Sequence, residues 1–488
     1  MLNNLFFQVE LLYTGSRTIM YQHFNTRKRF IKRLIAYVFM TLAVIVGVAG
    51  ATVWIMGYRF NVDDRQVERI SLLQFQTFPT GAHVVVDDKE LSFNTPGRYD
   101  EAKPGVSSVK YWLTGYRDWT KTVNLKPAEV RWLNYARLVP NELKPEGAAQ
   151  FAGFHQAINS PSGAFILLHE NPASRTLKLV DISDPVNIRT SDLTIPDAIL
   201  SADTAEAFTI VEWDSSSNYI LVRRDVGGAT EILRLDRRDM NSSLNLTKMF
   251  GVDIASPHFM GGDNNIVFGL TGTDLRRFEI GSKAISAPLV TGVTSYDLYG
   301  DGKLDYVATS EGRQTVGVYY RDKNYILQTF DDVQPTLTSF THYYRADYLV
   351  IQRGVEMKII ARPLDDNPGE EIAVEVPNGA DWLIHNGSGR FIVAGRGEQL
   401  ISYDLETNES FDFTLPGLSS APKWIDDYHL FSSADGRLVM TEFDGKNQES
   451  LVPASNFGVF SSNNEYLFSF NIIDGGVALD RTRMTIGQ

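Results

Sequence analysis

The sequence contains no cysteine. Disulfides, thiolate metal centres and cysteine nucleophiles are therefore excluded. It also lacks a Gly-x-Ser-x-Gly nucleophile elbow, a His-Glu-x-x-His zinc helix and a Walker-type lysine loop. Histidine is scarce. His23, His83, His155, His169, His258, His342, His385 and His429 are scattered, and no two stand at the spacing that puts metal ligands on one helix face. Basic side chains are the minority, 46 against 59 acidic, and the net charge of −13 argues against nucleic-acid binding. After residue 140 almost no segment keeps a helical period over three turns, so the long C-terminal part reads as strands. With no catalytic constellation in view, the sequence is expected to be non-enzymatic.

Turning to what is present, 43% hydrophobic and 22% charged residues are proportions of a folded chain, and 488 residues exceed one ordinary core. Leu34 to Met56 is a 23-residue run without a charge. At about 1.5 Å per residue it spans a bilayer core of roughly 30 Å. Arg27, Lys28, Arg29, Lys32 and Arg33 precede it, and Trp54 and Tyr58 lie near its far end. By the positive-inside rule, residues 1–33 form a basic cytoplasmic tail, 34–56 an uncleaved membrane span, and residues 59–488 lie outside the cytoplasm. Met20 is an alternative start to Met1. The charge is uneven: residues 1–58 hold six basic groups and one acid, and the remainder carries a net of −18.

After a juxtamembrane linker over 57–70, residues 71–140 alternate short β runs with turns. Val84 and Val86 should share a buried face, and Asp87-Asp88 should turn the chain. The ordered series Pro79-Thr80-Gly81-Ala82, Thr95-Pro96, Pro104-Gly105 and Gly115-Tyr116 resembles the PEGA domain, with Thr80 where the family has Glu and Asp88 where it has Gly. The resemblance implies a small β-sandwich of envelope proteins whose motif residues (Pro79, Gly81, Ala82, Thr95, Pro96, Pro104, Gly105, Gly115 and Tyr116) are structural turn formers.

Residues 141–150 read as a linker, and residues 151–488 repeat one theme. A polar turn precedes an apolar run, and a second turn leads to another strand, about eight times at roughly 40-residue spacing. That is the period of a four-stranded propeller blade. Eight blades are expected, with seven open because the first interval is long. The turn Ser160-Pro-Ser-Gly163 resembles the corresponding turn of Tol-system and prolyl-peptidase propellers, which implies the fold and nothing of the activity. The fold class is therefore mostly β: one N-terminal membrane helix, a small sandwich and a propeller.

Tyr296 to Tyr306 resembles the calcium loop of FG-GAP propeller repeats, with Asp297, Asp301 and Asp305 at the ligand positions and Gly302 at the turn. Tyr299 stands where that family has a further oxygen ligand. The two readings are a calcium site and a plain Asp-Gly hairpin turn; no other cofactor is expected.

The function expected is a cell-envelope scaffold or binding protein, its propeller displayed outside the membrane to bind a protein partner. The alternatives are a cell-wall glycan-binding or calcium-dependent module and, third, an exported hydrolase.

Overall fold

The computed structural model describes residues 26–55, 58–61, 66–201, 206–418, 420–455 and 457–486. They fall into two compact units. One takes Met1–Gln74, Arg98–Ser107 and Val123–Trp132; the other takes Phe75–Gly97, Ser108–Thr122 and Leu133–Gln488. Most of the basic tail (residues 1–25), together with Met56, residue 57 and residues 62–65 of the expected linker, lies outside the described residues.

The first unit opens with one helix, Thr26–Ile55. It starts before the apolar run because the Arg-Lys-rich flank continues the helical path. Its stretch Phe30–Trp54 is the one helix among the described residues long and apolar enough to cross a membrane, and none of it is buried in the protein. The expected linker is corrected in part: Tyr58–Asn61 pairs antiparallel with Gln66–Arg69.

The sandwich has a four-stranded sheet of spatial order Lys89–Asn94, His83–Val86, Gly105–Trp112, Trp119–Leu125, and a three-stranded one of order Gly97–Ala102, Ser71–Phe78, Val130–Arg137. Val84 and Val86 are buried and their neighbours on the strand are not, as the alternation predicts. Phe75 of one sheet lies 6.1 Å from Phe93 and 6.0 Å from Tyr111 of the other, ring to ring. Asp87 (φ 48°) and Asp88 (φ 63°) form a two-residue turn with both residues left-handed, joining Val86 to its partner Lys89. That is the twist a tight hairpin requires.

In the second unit, seven four-stranded sheets follow one another as meanders, over residues 156–194, 206–245, 255–285, 293–330, 336–375, 382–414 and 423–453. The eighth sheet is made differently. Gly458–Phe460, Tyr466–Ile473 and Gly476–Arg483 are completed on the outside by Pro145–Phe151 from the start of the region. The expected linker over 141–150 is thus corrected: from Pro145 on it is a strand, paired from Pro145↔Thr482 to Phe151↔Val477 with one bulge between Gly147 and Ala149. Its sequence has no β-branched residue, so only the distant partner makes it one.

A buried apolar cluster fills every junction between successive sheets. The same holds between the eighth and the first, where Phe468, Phe470, Val477 and Leu479 meet Ile166, Leu168 and Val180. Eight sheets with eight junctions make a closed ring of eight blades, each packed on its two neighbours. The first strands of the first, second and third sheets touch in succession, as do those of the fourth, fifth and sixth, which places the first strand innermost in these blades.

Candidate functional site

Among the places in the second unit where charged side chains gather away from water, two stand out by position. The first joins the sandwich to the ring. Lys121 comes from a strand whose side chains alternate buried and exposed, and it is on the buried face. Its ammonium bonds the Glu442 carboxylate and lies 2.6 Å from Asp444, all three side chains being almost wholly buried. Trp119 donates its indole N–H to Glu442 as well. The Lys121 ammonium also sits 5.1 Å from the Phe443 ring and 5.4 Å from that of Tyr135. Tyr135 in turn stacks on Tyr428 at 5.0 Å.

Two further links flank this centre. Arg117 bonds Glu449 at 2.5 Å. Arg137 bonds Asp426 at 3.1 Å, with its guanidinium 4.1 Å from the Phe460 ring. Burial alone would raise the pKa of Asp426, but His429, at 2.8 Å, and Arg137 outweigh it and hold the carboxylate well below its usual range. Buried ions need such mutual satisfaction, since desolving each costs several kcal/mol by itself (order of magnitude).

Several of the PEGA-like motif residues lie at bends and turns. Pro79 follows a cis bond, as does Pro96, and Gly81, Gly105 and Gly115 all have positive φ. Pro104 lies at the bend before Gly105–Trp112. The Gly81 amide donates to the Thr95 carbonyl, the Thr95 amide to the Ala82 carbonyl, and the Ala82 amide to Thr95 Oγ1. Gly115 and Tyr116 have a further task that the motif did not announce. The Ile486 amide donates to the Tyr116 hydroxyl at 2.6 Å, and a Cβ on Gly115 would come within 2.5 Å of the Ile486 side chain. These two residues receive the segment that leaves the eighth blade.

The second place lies on inner strands of the ring. Glu212 is the last residue but one of the first strand of the second blade, Glu206–Trp213; His258 is on that of the third, Ala255–Met260; Asp297 is on that of the fourth, Val293–Tyr299. Glu212 accepts from His258 Nδ1 at 3.0 Å and from the Phe259 amide. Burial works against a charge on His258, yet Glu212, with Asp297 and Asp305 behind it, raises its pKa. Tyr296 packs edge-on against the His258 ring and donates to the Ser256 carbonyl.

Asp297 and Asp305 are direct partners across the hairpin, so their side chains share one face. Asp297 is exposed, and its Oδ1 accepts from the Leu298 amide at 2.8 Å. Asp305 is 1% exposed. Neither of its oxygens meets a donor at hydrogen-bonding geometry. Burial first, then the charge of Asp297, pushes its pKa up to about 7. Asp301 does not join them. It sits in the Gly300-Asp-Gly302 turn and accepts from the Tyr320 hydroxyl at 3.1 Å. Among the described residues no three His, Asp or Glu side chains are grouped to hold a metal ion. The sequence placed Asp297 and Asp305 in one loop. It could not show that Glu212 and His258, from two other blades, come to the same neighbourhood.

Residues 70–140 match the PEGA domain family. A literal Pro-Glu-Gly-Ala string, Pro145 to Ala148, lies outside that match, in the strand that closes the ring. No curated protein matches the chain. Among solved structures, the chain is similar to an oligogalacturonate lyase in complex with manganese (12% identity, 68% of this chain and 98% of that one, TM-score 0.37). It is similar also to the Cps50 (Swd1) β-propeller domain of Myceliophteria thermophila (11%, 70% and 100%, 0.38) and to the Dos1 propeller (11%, 70% and 96%, 0.44). Such distant likenesses reach no further than architecture. The topology and the family match together identify a PEGA domain over residues 70–140, followed by a β-propeller of eight four-stranded blades between Pro145 and Arg483.

Proposed function

We propose that this is a membrane-anchored, non-enzymatic scaffold of the cell envelope whose propeller binds a protein partner outside the cytoplasm. The observation that carries the reading is the buried link of Lys121 to Glu442 and Asp444. A ring fixed to its neighbouring module by buried ions is suited to presenting a constant surface. Domains that only share a tether have small, polar contacts instead. The apolar helix Phe30–Trp54 supports anchoring, and the basic residues before it support a cytoplasmic N-terminus. The acidic body suits a basic partner segment.

Photo-crosslinking from the propeller surface in intact membranes tests the reading, and a defined protein adduct is the expected result. Co-sedimentation with cell-wall sacculi, with calcium and with chelator, separates the alternatives. Binding to sacculi without a protein adduct would replace the partner reading by the wall-glycan one, and loss on chelation would revive calcium. Facing carboxyls such as Asp297 and Asp305 are also what a hydrolase requires. Release of soluble fragments from sacculi would favour that third reading.

A further inference from the structure

The facing pair Asp297 and Asp305 is an unusual construction. Like charges directly opposite on an antiparallel pair repel. Here one of the two is buried with neither oxygen at hydrogen-bonding geometry to a donor, Thr338 and the Phe340 backbone giving it only weak support, and a buried carboxylate so poorly supported is costly. The neighbouring cations are engaged elsewhere. Lys303, two positions before Asp305 on the same strand face, gives its ammonium to Asp347 at 3.1 Å. His258 is held by Glu212. Among the described residues no Lys, Arg or His forms an ion pair with Asp297 or Asp305.

The side chains that pack beside the pair decide which way it looks. Tyr299 and Val307, on the same face of the hairpin as Asp297 and Asp305, pack with Phe340 of the fifth blade. Thr338 and the Phe340 backbone are near Asp305. The pair thus lies where the inner strands of the fourth and fifth blades meet, with Asp297 at the accessible end and Asp305 behind it.

We propose that this point takes a lysine or arginine side chain of a basic segment of the partner protein, Asp297 making the direct ion pair and Asp305 supplying the second negative charge. The proposal rests on the partner-binding reading given above. A divalent metal is a poorer fit, because the third carboxylate of the loop, Asp301, is tied to Tyr320 and hard cations take six or more oxygen ligands (typical count). One ammonium or guanidinium needs only the two carboxylates and answers their repulsion.

The test uses the full chain in nanodiscs at low salt, titrated calorimetrically with acetyl-Gly-Lys-Gly-amide, its arginine analogue and its norleucine analogue. The two cationic peptides should bind and the norleucine peptide should not. Asp297→Asn should weaken binding about tenfold or more, the scale of a lost charge-assisted bond. Asp305→Asn should weaken it less, through lost charge alone. Equal behaviour of lysine and norleucine peptides, or an unchanged affinity in Asp297→Asn, would overturn the proposal. If Asp305→Asn does not fold, the exposed Asp297→Asn still decides. Crosslinking in membranes with Asp297→Asn separates this proposal from the reading beneath it. A protein adduct that persists at full yield removes the site and keeps the partner. Peptide binding without any protein adduct keeps the site and removes the partner.

Discussion

The ammonium of Lys121 is bonded to the carboxylate of Glu442, 321 residues away in the chain, and both side chains are almost wholly buried. A pair so far apart in sequence fixes tertiary geometry that no local propensity could. Removing one member leaves an uncompensated buried charge. Lys121→Ala should therefore destabilise the protein by about 3 kcal/mol, the lower part of the range for such losses, because Trp119 and Asn447 still donate to Glu442. Urea denaturation of the detergent-solubilised chain measures it. A loss within experimental error of zero would mean that the pair is solvated in solution.

Ring closure depends on the junction of the eighth and first blades. Phe468 and Phe470 are both fully buried there. Truncating either to alanine should cost about 3–5 kcal/mol. Limited proteolysis should then cut first in the eighth blade or its closing strand Pro145–Phe151. Cleavage beginning instead in a central blade would show that closure is not the weakest point.

Acid should loosen the Arg137–Asp426–His429 node. The Asp426 pKa is lowered on folding, so its contribution is present above the unfolded value of about 4 and is lost as pH falls through the lowered one. The stability difference between the native chain and Asp426→Asn should be largest near neutrality and shrink on acidification. A difference that grows toward low pH would reverse the sign argued here.

The Asp87-Asp88 turn holds two non-glycine residues at positive φ. Asp87 has a reason to stay, since its Oδ1 accepts from the Ser108 amide at 2.8 Å. For Asp88 no side-chain bond is seen among the described residues. Asp88→Gly should relieve left-handed strain and stabilise by roughly 0.5–1 kcal/mol. Melting temperatures of the two proteins, compared in one detergent, would show it as a small rise; a fall would mean that the entropy of glycine outweighs the strain.

Much of this architecture was legible because its signals are local. An uncharged run of sufficient length is a membrane-spanning helix candidate wherever it occurs. Turn residues every few positions, with β-branched and aromatic residues between, announce strands. The PEGA motif could be read for the same reason, as each of its glycines answers a φ requirement of its own turn. The strand Pro145–Phe151 was not legible, because Pro-Glu-Gly-Ala-Ala-Gln-Phe has weak β propensity and becomes a strand only against Gly476–Arg483. For Asp301 the sequence left a calcium ligand and a plain turn residue both open. Its spacing fits a metal loop, and its bond to Tyr320 is decided by the neighbouring strand.

The sequence by itself determined the membrane-helix candidate, the PEGA module, the repeat of about eight blades and the acidic balance of the body. Composition and short-range periodicity are sufficient for these. Tertiary structure alone decided which strand closes the ring, that Lys121 is buried between Glu442 and Asp444, and that Glu212, His258, Asp297 and Asp305 come from three blades to one region. The physical reason is that ion pairing and desolvation depend on distance in space, and a closed ring brings together residues that the chain keeps hundreds of positions apart.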